Sequence, residues 1–423
     1  MKILIKNSLV VDMENEEPYI SDVLIENDKI TKIEKNITEQ VDKVIDGTNK
    51  VLMPGLVNTH GHLGMSIFRT YGENKQLMDW LNNYILPKEQ MLTKELIHDF
   101  SLLSCIEAIK SGTTNVVNTY FSQEVVADAY KEIGIRGIIG STDSYQNNPI
   151  DLFEYVKNID KEDMIKVYCD PHSPYTCSTE LLKENIENAK KHNTGIQIHL
   201  AETQDEIDII KKRYNLTPTE YLDSIGMFDV PVILAHGIYI NENDIEILKK
   251  IKGGISHNPI SNAKLASGIC DVVNLRKNNI NVGIGTDGPC PTTSLDMFLE
   301  MKTCGYLQKL KYMDSSIISS YDILKMATIE GAKVLCQEDE IGSIKVGKKA
   351  DLILIDIQKP HLVPALDIHS LLVYGVCGSD IDTVMINGKI VMQNRVMITI
   401  DEQEIMYKCE KSAKKFYSKE SLS

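Results

Sequence analysis

Two histidines one residue apart, His60 and His62 in the stretch MPGLVNTHGHLGM (residues 53–65), are the first side chains in the sequence that could do chemistry. Gly55 to His60 is short and mostly apolar, follows Pro54, and is predicted to be a β-strand. Residues i and i+2 of a strand face one side, so two imidazoles would leave its end within reach of a single ion. Comparable residues recur along the chain: His172 follows an apolar run, His199, His236 and His257 each end one, and Asp287 ends another within Gly285-Thr286-Asp287-Gly288. Histidines kept only for packing would scatter, whereas these fall at strand ends. Three imidazoles and a carboxylate suit Zn2+ or Fe2+ and leave a coordination position open for water, whose pKa such an ion draws towards neutrality.

Other residues around these suit proton transfer. Glu202, three residues beyond His199 in HLAET, would lie near the ion without having to bind it, as a proton carrier should. His236 in LAHG is a candidate to orient the attacking water and accept its proton. Asp287 can bind metal and take the same proton, with Gly285 and Gly288 permitting the close turn around it. His257 in SHNP is read either as a direct participant or as a neighbour that orients one.

The elements that must position these groups follow from the apolar pattern. After the first strand come seven more short runs, at Thr114–Val117, Arg136–Gly140, Lys166–Cys169, Gly195–His199, Val232–His236, Gly254–His257 and Asn281–Asp287, separated by helical segments. That alternation is the signature of βαβ units and a parallel sheet. Eight such units over about 290 residues predict an α/β fold, a (β/α)8 TIM-type barrel with its active site at the C-terminal strand ends. The first 50 residues instead alternate like antiparallel strands, at Ile3–Ile5, Leu9–Val11, Val23–Ile25 and Ile30–Ile33, and so do Ala350–Ile355 and Thr383–Met392 with its Asn387-Gly388 turn. The expected organisation is therefore a small β-sandwich domain built from residues 1–50 and 341–423, around a catalytic barrel of residues 51–340. Asp401–Glu420 is predicted to be an amphipathic helix packed on the outside.

The chain has 423 residues, 43% of them hydrophobic, and a formal charge of -15 without a basic cluster. Such a field repels nucleic acid and anionic membranes and leaves a neutral or cationic small molecule as the easier partner. The first twelve residues lack the apolar core of a signal peptide, and no later stretch is long enough to span a bilayer, so a cytoplasmic location is expected. Nine scattered cysteines without a C-x-x-C fit buried reduced thiols.

The motifs PGLVNTHGHLGM, PHSPYTCS, HLAET, LAHG, SHNPISN and GTDG, with GSIKVGKKADLILID near the C-terminus, resemble the amidohydrolase superfamily. Within it they are similar to the 5'-methylthioadenosine/S-adenosylhomocysteine deaminases, a group that includes 5'-deoxyadenosine deaminases. The resemblance implies His60, His62, His199 and Asp287 as metal ligands, and Glu202 and His236 as acid/base groups. It implies Glu89 in ILPKEQ and His172 as substrate contacts, beside Glu202, and Trp80, the only tryptophan, as a pocket wall. The expected activity is hydrolytic deamination of an adenine nucleoside: 5'-deoxyadenosine, 5'-methylthioadenosine, adenosine or, by extension, S-adenosylhomocysteine. Guanine, cytosine or triazine aminohydrolysis is the alternative, and a metal-binding scaffold without catalysis is a third reading, opposed by the complete ligand set. One divalent ion per subunit is expected, Zn2+ first and Fe2+ second, because the strand-four lysine of binuclear relatives is missing and Lys166 lies at the wrong end. The expected partners are a small-molecule nucleoside and further copies of the chain in a homo-oligomer, with neither nucleic acid nor membrane.

Two departures from the family pattern stand out. Pro289-Cys290-Pro291-Thr292-Thr293 replaces the usual small polar run after GTDG, and the loop Ser141–Asp151 carries neither the arginine nor the lysine that would clasp a homocysteine carboxylate. Arg69, Lys75 and Lys264 are the other cations near strand ends that could take that part.

Overall fold

A computed structural model describes residues 1–75, 77–141 and 150–418, the side chain of Met78 excepted. At the N-terminus, β1 (Lys2–Val10), β2 (Tyr19–Glu26) and β3 (Lys29–Glu34) form an antiparallel meander, followed by β4 (Lys43–Asp46) and β5 (Lys50–Pro54). The two runs expected at Ile3–Ile5 and Leu9–Val11 are one strand. Its register with β2 shifts between Ile5 and Ser8, where Asn7 takes a left-handed φ of 58°, so a bulge rather than a turn interrupts the alternation.

Next come the barrel strands β6 (Leu56–Asn58), β7 (Thr113–Asn118), β8 (Arg136–Ser141), β9 (Ile165–Cys169), β10 (Ile196–Leu200), β11 (Val232–His236), β12 (Gly253–His257) and β13 (Val282–Ile284), closed in that order and all parallel. Helices such as Lys94–Lys110 and Thr179–His192 connect them. Strands covered on both faces are largely apolar runs, and every residue of β7, β10, β11 and β12 is buried, including the polar Thr113, Thr114, Asn115 and Asn118 of β7. All eight expected strands are present, but two are shorter than expected. β6 ends at Asn58 and β13 at Ile284, so His60, His62 and Asp287 lie on the loops beyond. Their convergence comes from loop hydrogen bonds, Asp287 N–H to His60 O at 3.0 Å and Thr119 N–H to Gly61 O at 2.9 Å, and not from strand alternation.

The chain then returns as β14 (Leu352–Asp356), β15 (Ile381–Ile386), β16 (Lys389–Gln393) and β17 (Val396–Met397). The terminal β-domain is built on one mixed nine-stranded sheet, ordered β17-β16-β15-β14-β5-β1-β2-β3 with β4 beside β1. β5 joins its two halves, parallel to β1 and antiparallel to β14, so the sheet takes in Val51–Pro54, which the sequence pattern grouped with the barrel. Asn387 and Gly388, at φ 51° and 73°, make the expected hairpin turn. Arg136, at the start of β8, is buried and donates to Asp351 at 2.7 Å and to Asn387 at 3.2 Å. That ion pair pins the N-terminal end of the barrel to the sheet, far from the strand ends that carry the histidines. The C-terminal helix, Glu402–Ser418, packs against Lys94–Lys110. Among the described residues no helix is long and apolar enough to cross a membrane.

Candidate metal centre and cavity

Nitrogens of His60, His62 and His199 lie within 4.8 Å of one another, and the same holds for the ligand atoms of His60, His236 and Asp287. Each ring is aimed by a second contact. His62 Nδ1 bonds the Thr119 carbonyl at 2.5 Å and His199 Nδ1 bonds the His172 carbonyl at 2.7 Å, which leaves Nε2 of both rings for the centre. His60 Nε2 is buried without any protein partner and sits 3.7 Å from Asp287 Oδ1, while His62 Nε2 is 3.2 Å from the same oxygen. A buried orphan nitrogen facing two imidazoles and a carboxylate is costly unless a cation completes the set, so the residues fit a divalent metal ion. Burial pushes His60 and His199 well below the usual histidine range, which keeps them neutral as ligands must be.

Asp287 adopts φ 60°, a backbone cost that persists because the surroundings fix it. Its Oδ2 accepts from Ser261 at 2.5 Å and its Oδ1 from Gly288 N–H at 2.6 Å. Burial opposes its charge, but the imidazoles of His62 and His60 outweigh it and hold the carboxyl well below the usual range. Gly285 is required here, since a Cβ would come within 2.4 Å of Asn258 Oδ1 and 2.9 Å of His60 N.

His236, also at positive φ (75°), bonds Asn262 Oδ1 through Nδ1 at 2.8 Å and turns Nε2 towards Glu202 Oε2 at 3.8 Å. Burial raises the Glu202 carboxyl, the direction that suits a proton donor. Glu206 holds the turn before it, accepting from Ala201 N–H at 2.9 Å and Glu202 N–H at 3.0 Å. Sequence reasoning missed Glu206, although Thr203-x-x-Glu206 carries the signature of a helix start. It also missed Thr119, Ser261 and Asn262, polar residues that only their tertiary neighbours distinguish.

A cavity of about 330 Å³ opens above the centre and brings together His62, His199, His236, Glu202 and Asp287 with Glu89, His172 and Trp80. Burial raises Glu89, with the Tyr120 hydroxyl working the other way, and pushes His172 down to about 4. Pro291, from the altered loop after Asp287, contributes to the wall. So does Asp170, at the end of β9, whose carboxyl burial pushes up to about 8. Lys166 sits at the other end of β9 and pairs with Asp163 at 2.5 Å. His257 is fully buried with neither ring nitrogen partnered and belongs to neither histidine grouping of the centre.

Among the described residues no lysine or arginine lines the cavity. Arg69 pairs with Glu107 at 2.5 Å, Lys264 with Glu73 at 2.8 Å, and Lys75 lies over the Tyr84 ring. Residues 142–149 of the loop Ser141–Asp151 fall outside the described residues. A second grouping of metal-ligand types, His361, Cys377 and Asp380, is already closed by Lys359 Nζ at 2.8 Å and by Cys377 N–H at 2.9 Å on Asp380. It reads as a helix-start cap. None of the nine cysteines, all among the described residues, forms a disulfide.

A closed parallel barrel bearing three imidazoles, a carboxylate and an adjacent acid defines a metal-dependent hydrolase. The chain belongs to the amidohydrolase family, whose model matches residues 51–391. It is 44% identical to a 5-methylthioadenosine/S-adenosylhomocysteine deaminase of Thermoanaerobacter pseudethanolicus, over 98% of this chain and 99% of that one. It is likewise 44% identical to a 5'-deoxyadenosine deaminase of Methanobrevibacter smithii, over 97% of each. Among solved structures, an adenosine deaminase from Xanthomonas campestris with bound zinc superimposes with a TM-score of 0.94 at 28% identity, covering 98% of both chains.

Proposed function

We propose that the protein hydrolytically deaminates a neutral adenine nucleoside at one divalent ion, Zn2+ in preference to Fe2+, held by His60, His62, His199 and Asp287. The observation that carries this reading is the one cavity in which Glu202 and His236 flank that centre while Glu89 and His172 line the same wall. An ion held by these four residues would supply the Lewis acidity that makes a water nucleophilic at neutral pH. His236 orients that water towards the amino-bearing ring carbon, and Asp287 takes its proton. Glu202, whose carboxyl burial raises, gives a proton to the adjacent ring nitrogen. The Asp287 proton then goes to the amino group, which leaves as ammonia while the hydroxyl proton on the same ring carbon returns to Glu202, so that nucleoside and water become the inosine analogue and ammonia and both carboxyl groups regain their starting states. Glu89 and His172 hold the ribose, and Trp80 packs beside the base or the 5' substituent.

The same wall argues the 5' preference. With Arg69 and Lys264 tied to glutamates and Lys75 over a ring, 5'-deoxyadenosine, 5'-methylthioadenosine and adenosine are preferred to S-adenosylhomocysteine. Loss of a charged hydrogen bond, about 1.5–3 kcal/mol, puts the difference at roughly one to two orders of magnitude. Comparing kcat/KM for the four nucleosides, by loss of adenine absorbance with ammonia detection, tests both parts. Turnover of none of them refutes the activity, and equal efficiency with S-adenosylhomocysteine refutes the preference.

A further inference from the structure

The cavity wall between Leu77 and Glu89 cannot hold its own shape. Its two α-helical pieces, Leu77–Trp80 and Leu86–Glu89, are four residues each around one π turn. The link before them passes through Thr70, Gly72 and Asn74 at positive φ. Helices that short are unstable alone, so tertiary contacts must set where Trp80 and Glu89 stand.

Those contacts lead to the far end of the chain. The indole N–H of Trp80 donates to the Tyr71 carbonyl at 3.1 Å, and the Tyr71 ring lies 5.4 Å from that of Tyr417 in the last turn of the C-terminal helix. The Tyr417 hydroxyl donates to the Ile67 carbonyl at 3.0 Å, and Phe416 meets Phe68 edge to face at 6.1 Å. Ile67 and Phe68 end the 3-10 turn that begins next to His62. The helix is itself anchored, because Lys408 donates to Asp99 at 2.8 Å and Ile405, Cys409 and Phe416 are buried. One turn of helix thus clamps the segment from which the wall is hung. A Cβ at Gly72 would lie 2.9 Å from Trp80 Cδ1, so wall and clamped segment fit without slack.

We propose that Tyr417, supported by Phe416, is a positioning residue for substrate binding, holding Trp80 and through it the Glu89 wall over the cavity; its kinetic side rests on the nucleoside reading above. Trp80 is the only tryptophan and is 7% exposed, so its fluorescence reports the wall directly, with no need for turnover. In Tyr417→Leu, which keeps apolar bulk in the helix, acrylamide quenching of metal-loaded protein should rise about threefold. KM for the nucleoside should rise about tenfold with kcat nearly unchanged, the scale set by removing one hydrogen bond and one pair of packed rings. Tyr417→Phe, which keeps the ring, should fall between that variant and wild type in both readouts, and it carries the test alone if Tyr417→Leu does not fold. Quenching and KM at wild-type values in the folded variants overturn the proposal, as does a loss confined to kcat. If no adenine nucleoside is turned over by wild type, the functional reading fails while the quenching still decides the clamp.

Discussion

Glu202 and His199 are three residues apart and are expected to fail in different ways. His199 lends Nε2 to the centre, with its other nitrogen fixed by the His172 carbonyl at 2.7 Å. Outer contacts of a metal ligand are worth about 10- to 100-fold in affinity, so His199→Ala should weaken metal binding at least about 100-fold. Elemental analysis after dialysis should find the metal lost along with turnover; one equivalent retained in the variant removes His199 from the ligand set. Glu202 belongs to neither histidine grouping of the centre, and its carboxylate stands 3.8 Å from His236 Nε2. Glu202→Gln should therefore keep its metal and still bind nucleoside, while kcat falls about 10²- to 10⁴-fold, the usual worth of general acid/base catalysis. Near wild-type turnover would pass the proton transfer to His236.

At the scale of elements, the barrel was legible because strands buried on both faces are largely apolar runs, and the eight runs are distinct in the sequence. The strand ends were less legible. β6 and β13 stop early because their continuations bond to neighbouring loops, Gly61 to Thr119 and Asp287 to His60, and single-strand periodicity carries no trace of those partners. β5 went unread as part of the terminal sheet because Val51–Pro54 runs straight into β6 with only Gly55 between them, so one apolar stretch serves two sheets. Arg136 was placed correctly at the far end of the barrel, but its partner Asp351 lies more than two hundred residues on and could not be named. Both side chains of that pair are almost fully buried, and breaking a buried ion pair from one side costs about 3–5 kcal/mol because the other charge stays behind. Asp351→Asn should lower unfolding stability by about that amount in urea titrations of metal-loaded protein; a loss under about 1 kcal/mol would mean that Asn387 alone satisfies the guanidinium.

At the scale of the molecule, charge selects among nucleosides and nucleotides that share one reacting ring. The chain carries a formal charge of -15, and the cavity wall includes Glu89, Asp170, Glu202 and Asp287 but, among the described residues, no lysine or arginine. A 5'-phosphate adds about two negative charges near neutral pH. A single uncompensated carboxylate about 8 Å from it opposes binding by roughly 2 kcal/mol per unit charge at an effective dielectric constant near 20. Adenosine 5'-monophosphate should therefore be used at least about 100-fold less efficiently than adenosine, even though ring, ribose and leaving group are identical. Only part of that penalty comes from groups inside the cavity; the rest is the field of the whole surface, which salt screens. Raising ionic strength from about 0.01 M to 0.1 M shortens the screening length from roughly 30 Å to 10 Å. The monophosphate's kcat/KM should climb severalfold over that range while adenosine's stays flat. Matched efficiencies for the two compounds at low salt would mean that a lysine or arginine reaches the phosphate, and residues 142–149 contain neither.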